Sequence, residues 1–264
     1  MRTRLPVLLF LLLPAILICS GCEEVIDLKL DNADPVIVIE ASLSDQNEVQ
    51  TVRISTTTPF TEPAAFNPFT GASVKLSIPG GTELSFSETE PGVYRSRRFR
   101  GVPGNSYTLN ISANGQVYSA TSVMPQRVQL DSLTFKRLTF FGSTNTYPVA
   151  NYQDPAAVQN QYRYILRVNN VIGEDAVNED RFNNGNVVAD VIFHELEDIR
   201  TNDRIELELQ TIDRNVFKYY FALQQNRGET GPPVAPANPV SNFDNGALGV
   251  FNAHTSSKFA VVVR

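Results

Sequence analysis

The sequence predicts a mainly β protein: an N-terminal immunoglobulin-like β-sandwich at residues 35–125, followed by a second β-rich domain at 126–264 with one substantial helix. Three observations predict this fold. Turn signals recur every ~8–12 residues in the first block, a spacing typical of sandwiches. Apolar and polar residues alternate along most segments of both blocks, which indicates half-buried strands. Only the segment at 214–227 combines apolar residues at helical spacing with helix-capping residues.

The first 21 residues have the features of a secretory signal. Two arginines precede the uncharged segment Val7–Ile18, which is shorter than the ~20 residues of a membrane-spanning helix but fits the ~7–15-residue apolar region of a signal peptide. Two small residues then precede Cys22, the arrangement that a lipoprotein signal peptidase cleaves. We expect Cys22 to be the acylated first residue of the mature chain, with 22–34 as a tether. The alternative is ordinary secretory cleavage that leaves Cys22 as a free thiol.

The first block is expected to contain about seven strands. It opens with the β-branched segment VIVIEASL (36–43), and the segments ASVKLSI and TELSFSE at 72–88 flank a Pro-Gly-Gly turn, which predicts a hairpin. Asn114-Gly115 is the favoured two-residue hairpin turn, because both positions tolerate positive φ. Tyr107 is either a corner tyrosine at a strand crossing or an ordinary half-buried strand residue.

The second block also reads as strands, at 131–142, 161–171, 187–196, 203–213 and 258–264. In the fourth of these, RIELELQTI places its leucines and isoleucines on one face, so we expect Glu206 and Glu208 to face solvent.

The predicted helix begins after Asp213, a suitable N-cap, and ends near Gly228. We expect Phe217 and Phe221 to enter the core. The proline- and glycine-rich segment 228–251 is expected to form an ordered loop over the second domain.

Composition excludes several function classes. Without Arg2 and Arg4, the mature chain has 20 basic and 28 acidic residues, a net charge of −8, so we do not expect it to bind nucleic acid. Cys19 and Cys22 are the only cysteines. The folded body therefore has no thiol for a disulfide, a thiolate metal site or a nucleophile. We expect no cofactor.

Three chemical alternatives were weighed and carry little support. His194 could bind a metal with Glu195 and Glu197, although neighbouring strand residues face opposite ways. His254 could pair with Ser256 or an aspartate in a hydrolase, although no nucleophile motif accompanies it. The segment 173–190 is rich in the oxygen ligands that calcium prefers, but lacks the EF-hand spacing. We therefore expect a protein that is not an enzyme.

Aromatic residues are the more informative signal. Phe60, Phe66 and Phe69 lie in a proline-rich segment that reads as a loop, and we regard them as candidate partner-binding residues. The predicted helix carries a second aromatic group, Tyr219–Phe221.

These segments together resemble a known family. CEEVIDLKL, VIVIEASL, PGVYRS and GNSYTLNISANGQVYSATSVMP, then IELELQTIDRNVFKYYFAL and NPVSNFDNGALGVFNAHTSSK, occur in the same order in domain of unknown function 4249, a family of Bacteroidota outer-membrane lipoproteins. The resemblance implies a β-rich, lipid-anchored protein at the cell surface, often encoded beside a TonB-dependent outer-membrane transporter. Glu23-Glu24, after the acylated cysteine, resembles the export signal of that phylum.

The expected function is a non-enzymatic ligand-binding or accessory subunit beside such a transporter, held in the outer membrane by the lipid on Cys22. The alternative is a structural or adhesive module of the cell surface.

Overall fold

The computed structural model describes residues 34–59, 66–182, 184–193, 201–226 and 238–263. From Asp34 onward the chain forms one compact unit. The described residues form one helix, α1 (Arg214–Asn226), and the following strands: β1 (Ile37–Ser44), β2 (Glu48–Thr56), β3 (Asn67–Pro68), β4 (Ser73–Ile78), β5 (Thr82–Glu90), β6 (Val93–Phe99), β7 (Ser106–Ala113), β8 (Gln116–Val123), β9 (Leu130–Phe140), β10 (Ser143–Gln153), β11 (Gln161–Val168), β12 (Val171–Glu179), β13 (Val187–Val191), β14 (Arg204–Ile212) and β15 (Leu248–Val262). The predicted mainly β class is confirmed.

The strands form two sheets. The larger follows the order β12-β11-β14-β15-β1-β2-β6-β5-β4-β7-β8, with β3 beside β2, and the smaller follows β13-β10-β9. Neighbouring strands are antiparallel except for β1 and β15, which pair in parallel. No helix of the described residues is long and apolar enough to cross a bilayer.

The first hydrophobic core lies within the curl of the larger sheet. Each strand from β15 to β8 along that path turns buried side chains toward it, including Phe251, Ile39, Ile54, Tyr94, Leu84, Leu76, Leu109 and Ala120. Because eight neighbouring strands face one core, the sheet must curl around it, and β8 comes back into contact with β15. The first block is therefore sandwich-like, as predicted, with one hydrogen-bonded path through both layers.

Local turn chemistry shapes this block as expected. Asn114 and Gly115 have φ angles of 50° and 75° and join β7 to β8. Tyr107 is fully buried, and its hydroxyl accepts a hydrogen bond from the backbone N–H of Val102 at 2.7 Å. A hydroxyl bonded to the backbone a few residues upstream is the contact of a corner tyrosine.

The second core lies between the smaller sheet and the β11-β14-β15 part of the larger one. Leu130, Ala150 and Val188 approach from the smaller sheet, and Leu166 and Leu207 from the larger. Its buried tyrosines keep their hydroxyls hydrogen-bonded, as burial requires. The hydroxyls of Tyr152 and Tyr164 lie 2.8 Å apart and both bond to Asp190, and the hydroxyl of Tyr162 donates to Asp154.

Strand β15 belongs to both halves of the fold. Its first part pairs with β1, with Ile39 opposite Gly249, and its second part pairs with β14. Phe251 accordingly packs in the first core and Phe259 against the second. Between β1 and Ile212, the predicted boundary near Gln126 separates residues of the first core from residues of the second. Strand β15 contributes to both cores, so the division into two domains stays a prediction.

Two sequence expectations in the second block are wrong. Phe243 lies in the first core and Leu248–Phe251 begins β15, so the end of segment 228–251 is not a loop over the second domain. Glu208 is buried rather than facing solvent, because Arg167, Ser256 and Lys258 on neighbouring strands and Gln210 on its own strand surround its carboxylate. The signal sequence, the tether and Cys22 lie outside the described residues.

Helix α1 begins where the sequence predicts. The Oδ1 of Asp213 accepts hydrogen bonds from the backbone N–H groups of Asn215 at 2.8 Å and Val216 at 3.0 Å, which makes Asp213 the N-cap. The buried face was predicted incorrectly, since Val216 is buried and Phe221 is exposed. Phe221 instead stacks on Phe217, with ring centroids 5.6 Å apart.

Candidate functional site

A groove lies between helix α1 and the outer face of β1 and β2, and we name it the α1 groove. Alternation along β1 turns Ile39 and Ala41 toward the first core and places Glu40 on the opposite face. Along β2, Val52 and Ile54 are likewise buried and Arg53 points outward. The groove has a volume of about 300 Å³ and is lined by Glu40, Ser42, Thr51, Arg53, Tyr219 and Tyr220.

A small apolar cluster holds the helix above this face. Val216 is fully buried and packs with Ile212, Val177 and Val250, which come from β14, β12 and β15. Tyr219 and Tyr220 are half-buried against the same cluster. The capped start of the helix and this contact together fix which side chains line the groove.

The two tyrosines form one wall of the α1 groove. Their ring centroids are 5.5 Å apart and their planes meet at 84°. The guanidinium of Arg163 lies 3.9 Å from the Tyr220 ring centroid, a cation–π contact. Arg163 is in turn held by both carboxylate oxygens of Asp175, at 2.7 Å and 2.5 Å. The Tyr220 ring is therefore fixed in place before anything binds.

Both phenols stay protonated at neutral pH. Burial, with Tyr220 and the Glu40 carboxylate nearby, raises the pKa of Tyr219 to about 12. Burial also raises the pKa of Tyr220, although the charge of Arg163 opposes it. Each hydroxyl is thus a hydrogen-bond donor at neutral pH.

The opposite wall carries an exposed ion pair, and an aromatic ring lies beside that pair without lining the groove. The Nε of Arg53 lies 3.9 Å from the Glu40 carboxylate, with the two side chains 50% and 61% exposed. The guanidinium of Arg53 also lies 4.5 Å from the ring centroid of Phe66, which is 40% exposed. An ion pair this exposed contributes little to folding stability. Both charges are therefore accessible to a ligand or partner.

The predicted partner-binding phenylalanines have different environments. Phe66 packs against Arg53 without lining the α1 groove itself, whereas Phe69 is half-buried and packs against the first core. Phe60 lies outside the described residues. The role of all three in binding stays a prediction. Glu40 and Arg53 were not singled out from the sequence, although strict alternation with buried Ile39, Val52 and Ile54 marks them as outward-facing.

A buried charge network lies further along the same face of the sheet, around Glu208. Its carboxylate accepts hydrogen bonds from Gln210 and Ser256, each at 2.9 Å, and pairs with Arg167 at 2.9 Å and Lys258 at 3.5 Å. Burial raises the pKa of Glu208, but these donors and charges outweigh it and lower the pKa to about 2. The carboxylate is ionised at neutral pH and stabilises the fold.

His254 and Ser256, the residues of the hydrolase alternative, each contact other groups. His254 is buried, and burial lowers its pKa, so the imidazole is neutral at pH 7. The hydroxyl of Ser256 donates to Glu208, and Nδ1 of His254 lies 3.4 Å from the backbone oxygen of Asn252. Among the described residues, Oδ1 of Asn252 and Oγ1 of Thr255 are buried side-chain atoms without a hydrogen-bond partner, which is uncommon in folded proteins.

The metal alternatives fall partly on the described residues. In the segment considered for calcium, 173–190, residues 173–179 belong to β12 rather than to a loop, and Asp175 pairs with Arg163. Nowhere in the described ranges do three or more His, Cys, Asp or Glu side chains cluster as metal ligands would. His194, with Glu195 and Glu197, lies outside those ranges.

A second, more polar groove of about 530 Å³ lies on the other side of the helix start. It is lined by Ser119 and Thr121 of β8, Asn215 and Lys218 of α1, and 240–244. Asp244 uses its carboxylate and backbone N–H to bond the backbone of Ser119, at 2.7 Å and 3.0 Å. This groove lacks an aromatic pair like Tyr219 and Tyr220 of the α1 groove. We therefore take the α1 groove as the candidate site.

Comparison with known proteins identifies a family but no described activity. The family model "Domain of unknown function (DUF4249)" matches residues 23–260. Two solved structures each align with 66% of the chain: a DUF4785 family protein from Legionella pneumophila (14% identity, TM-score 0.25) and the adhesin InvE of Yersinia pseudotuberculosis (15% identity, TM-score 0.22). The alignments cover 52% and 55% of those two chains. None of the curated proteins matches.

Proposed function

The chain belongs to the DUF4249 family, and from that membership we propose that it is a lipid-anchored surface protein of the outer membrane. In this proposal it acts as a non-enzymatic ligand-binding or accessory subunit beside a TonB-dependent transporter. The anchor is the acylated thiol of Cys22, and the transporter partner is the one implied by the family resemblance.

The α1 groove is the observation that supports a binding role. It presents two protonated tyrosines on one wall and the exposed Arg53–Glu40 pair on the other, and the Phe66 ring packs against Arg53. Aromatic residues and arginine are the side chains most enriched where proteins bind partners. The groove suits a ligand or peptide that combines an apolar part with hydrogen-bond acceptors.

Anchoring would make modest affinity sufficient. Two or three acyl chains on one residue hold a protein firmly to a bilayer, whereas one chain alone binds only marginally. Confinement to the plane of the membrane raises the effective concentration of the body at a neighbouring transporter. A contact surface as small as the α1 groove can then remain occupied without tight binding.

The anchor is tested by mass spectrometry of the native protein and of Cys22→Ala. We expect an acylated N-terminal Cys22 in the native protein and release of Cys22→Ala into the soluble fraction. An unmodified N-terminus at another residue would contradict the proposal.

The binding role is tested by co-purification in mild detergent with Phe66→Ala and a matched control, Phe182→Ala. Phe182 is 88% exposed, and Phe66 differs from it by packing against Arg53, a residue that lines the α1 groove. We expect the native protein and the control to retain a stoichiometric transporter and Phe66→Ala to lose most of it. Absence of a transporter from the native protein in several extractions would instead favour the structural or adhesive module.

A further inference from the structure

The hairpin formed by β9 and β10 ends in an exposed aromatic tip. The two strands pair up to Phe140 and Ser143, so Phe141 and Gly142 alone make the turn. Phe141 is fully exposed, and Phe140 and Phe193 beside it are 46% and 69% exposed. The Phe140 ring lies 6.3 Å from that of Phe193. This is a projecting apolar surface rather than a groove.

The turn holds its phenylalanine in an unfavourable backbone conformation. Phe141 has a φ of 49° and Gly142 a φ of 87°. Two-residue turns with both φ values positive favour Asn-Gly, and a bulky residue at positive φ is an outlier. Such strain is typical of functional positions. The fold thus tolerates a less favourable turn in order to expose an aromatic ring at the apex.

The charge of the hairpin is opposite to that of the protein. The chain has a net charge of −6, whereas the hairpin Leu130–Gln153 contains two basic residues, Lys136 and Arg137, and one acidic residue, Asp131, at the end far from the tip. Both basic side chains are exposed. They precede Phe141 by five and four residues, which places them roughly 13–17 Å from the apex along the strand. Each long side chain can reach several ångströms back toward the tip.

We propose that the tip of this hairpin, Phe140–Gly142, inserts into the interface of an anionic lipid bilayer, with Lys136 and Arg137 at the headgroups. Interfacial insertion buries apolar groups about 5–10 Å below the surface. That depth would bury the phenyl rings and leave the two basic side chains near the phosphates, where anionic lipids attract them. A projecting ring with basic residues behind it suits a deformable lipid surface better than a rigid protein pocket.

Insertion is measured with Phe141→Trp, because the chain has no other tryptophan. The full-length lipidated protein is reconstituted into vesicles of phosphatidylcholine with 30% phosphatidylglycerol, or of phosphatidylcholine alone. We expect a blue-shifted emission and quenching by brominated acyl chains in the anionic vesicles, and weaker effects in the neutral ones. Phe182→Trp is the control and should keep the emission of exposed tryptophan. Unshifted emission from Phe141→Trp, or equal shifts on both vesicle types, would overturn the proposal.

A second variant separates binding from folding. In the full chain with Cys22→Ala, Phe141→Asn creates the favoured Asn-Gly turn, so thermal stability should be equal or higher while partition into anionic vesicles falls at least about tenfold. Replacing both basic residues, Lys136→Gln with Arg137→Gln, should weaken partition by a factor of roughly 30. Unchanged partition in either variant would refute insertion at this tip.

Discussion

Among the glycines that the structure describes, Gly249 leaves the least room for a Cβ, and its replacement by alanine should weaken the fold sharply. A Cβ at Gly249 would lie 2.0 Å from the carbonyl oxygen of Ile39 and 2.7 Å from its carbonyl carbon. These are main-chain atoms of β1, the strand that pairs in parallel with this part of β15. The new methyl group cannot be relieved by rotating a side chain.

The magnitude follows from what has to move. Ordinary contact begins near 3.4 Å, so β1 and β15 would have to separate by about 1.4 Å at this point. That movement weakens the hydrogen bonds on either side, each contributing ~1 kcal/mol, and disturbs the packing of Phe251. Gly249 also has a φ of 99°, which disfavours alanine by ~1–2 kcal/mol. We expect Gly249→Ala to lower the free energy of unfolding by roughly 3–5 kcal/mol.

Gly246→Ala is the matched control three residues earlier. Gly246 has a φ of 77°, but a Cβ there would meet no atom within 4 Å. Only the backbone term applies, so the expected loss is ~1 kcal/mol. Urea denaturation followed by far-UV circular dichroism measures both variants. Equal unfolding free energies for the two variants would refute the close-approach explanation. If Gly246→Ala folds and Gly249→Ala does not fold at all, the explanation is confirmed and the cost exceeds the range given above.

Two further predictions concern single carboxylates. The pKa of Glu208 is about 2 against an ordinary 4.5, so its contribution of roughly 3 kcal/mol to stability is fully present above pH 4.5 and is lost as the pH falls through 2. In urea titrations at pH 7 and pH 3, Glu208→Gln should therefore lose less unfolding free energy in acid than the native protein does. Equal losses in the two proteins would contradict this. Asp213→Ala removes the N-cap of α1 and a hydrogen bond from Ser122, and it should lower the free energy of unfolding by about 2 kcal/mol. The control is Asp131→Ala, at an exposed strand residue, which should change the urea midpoint little. Similar losses of stability in both variants would refute the capping role.

Features encoded by neighbouring residues could be predicted from the sequence. Asn114-Gly115 forms the expected turn because its preference is set by two adjacent backbone conformations. Asp213 caps α1 because the donors it satisfies are two and three residues away. The phase of the helix was less clear, since aromatic residues occur on several sides of it and the surface it packs on decides which are buried. Phe221 is exposed for that reason.

Features that depend on distant partners could not be predicted. Strand β10 contains Pro148 and several asparagines and threonines, and it exists because β9 and β13 flank it. The start of β15 looks like a loop because Gly249 is a poor strand residue, yet the pairing with β1 requires glycine there. Glu208 looks solvent-facing until Arg167 and Lys258 are brought beside it from two other strands.

The candidate site shows the same division. Phe66, Tyr219 and Tyr220 could be selected as aromatic residues in unusual surroundings. The position of the two tyrosines beside Glu40 and Arg53 could not be predicted, because it brings β1 and β2 together with a helix more than 160 residues later.

The parallel pairing of β1 with β15 sets the order in which the molecule can mature. A chain synthesised from its N-terminus has its first strand available early, but one neighbour of that strand is supplied by residues 248–254. Until those residues arrive, one edge of the first core stays open, and contacts so distant in sequence form slowly. A nascent chain therefore exposes this strand edge until residues 248–254 have been synthesised, and we expect chaperones that shield exposed strand edges to bind it.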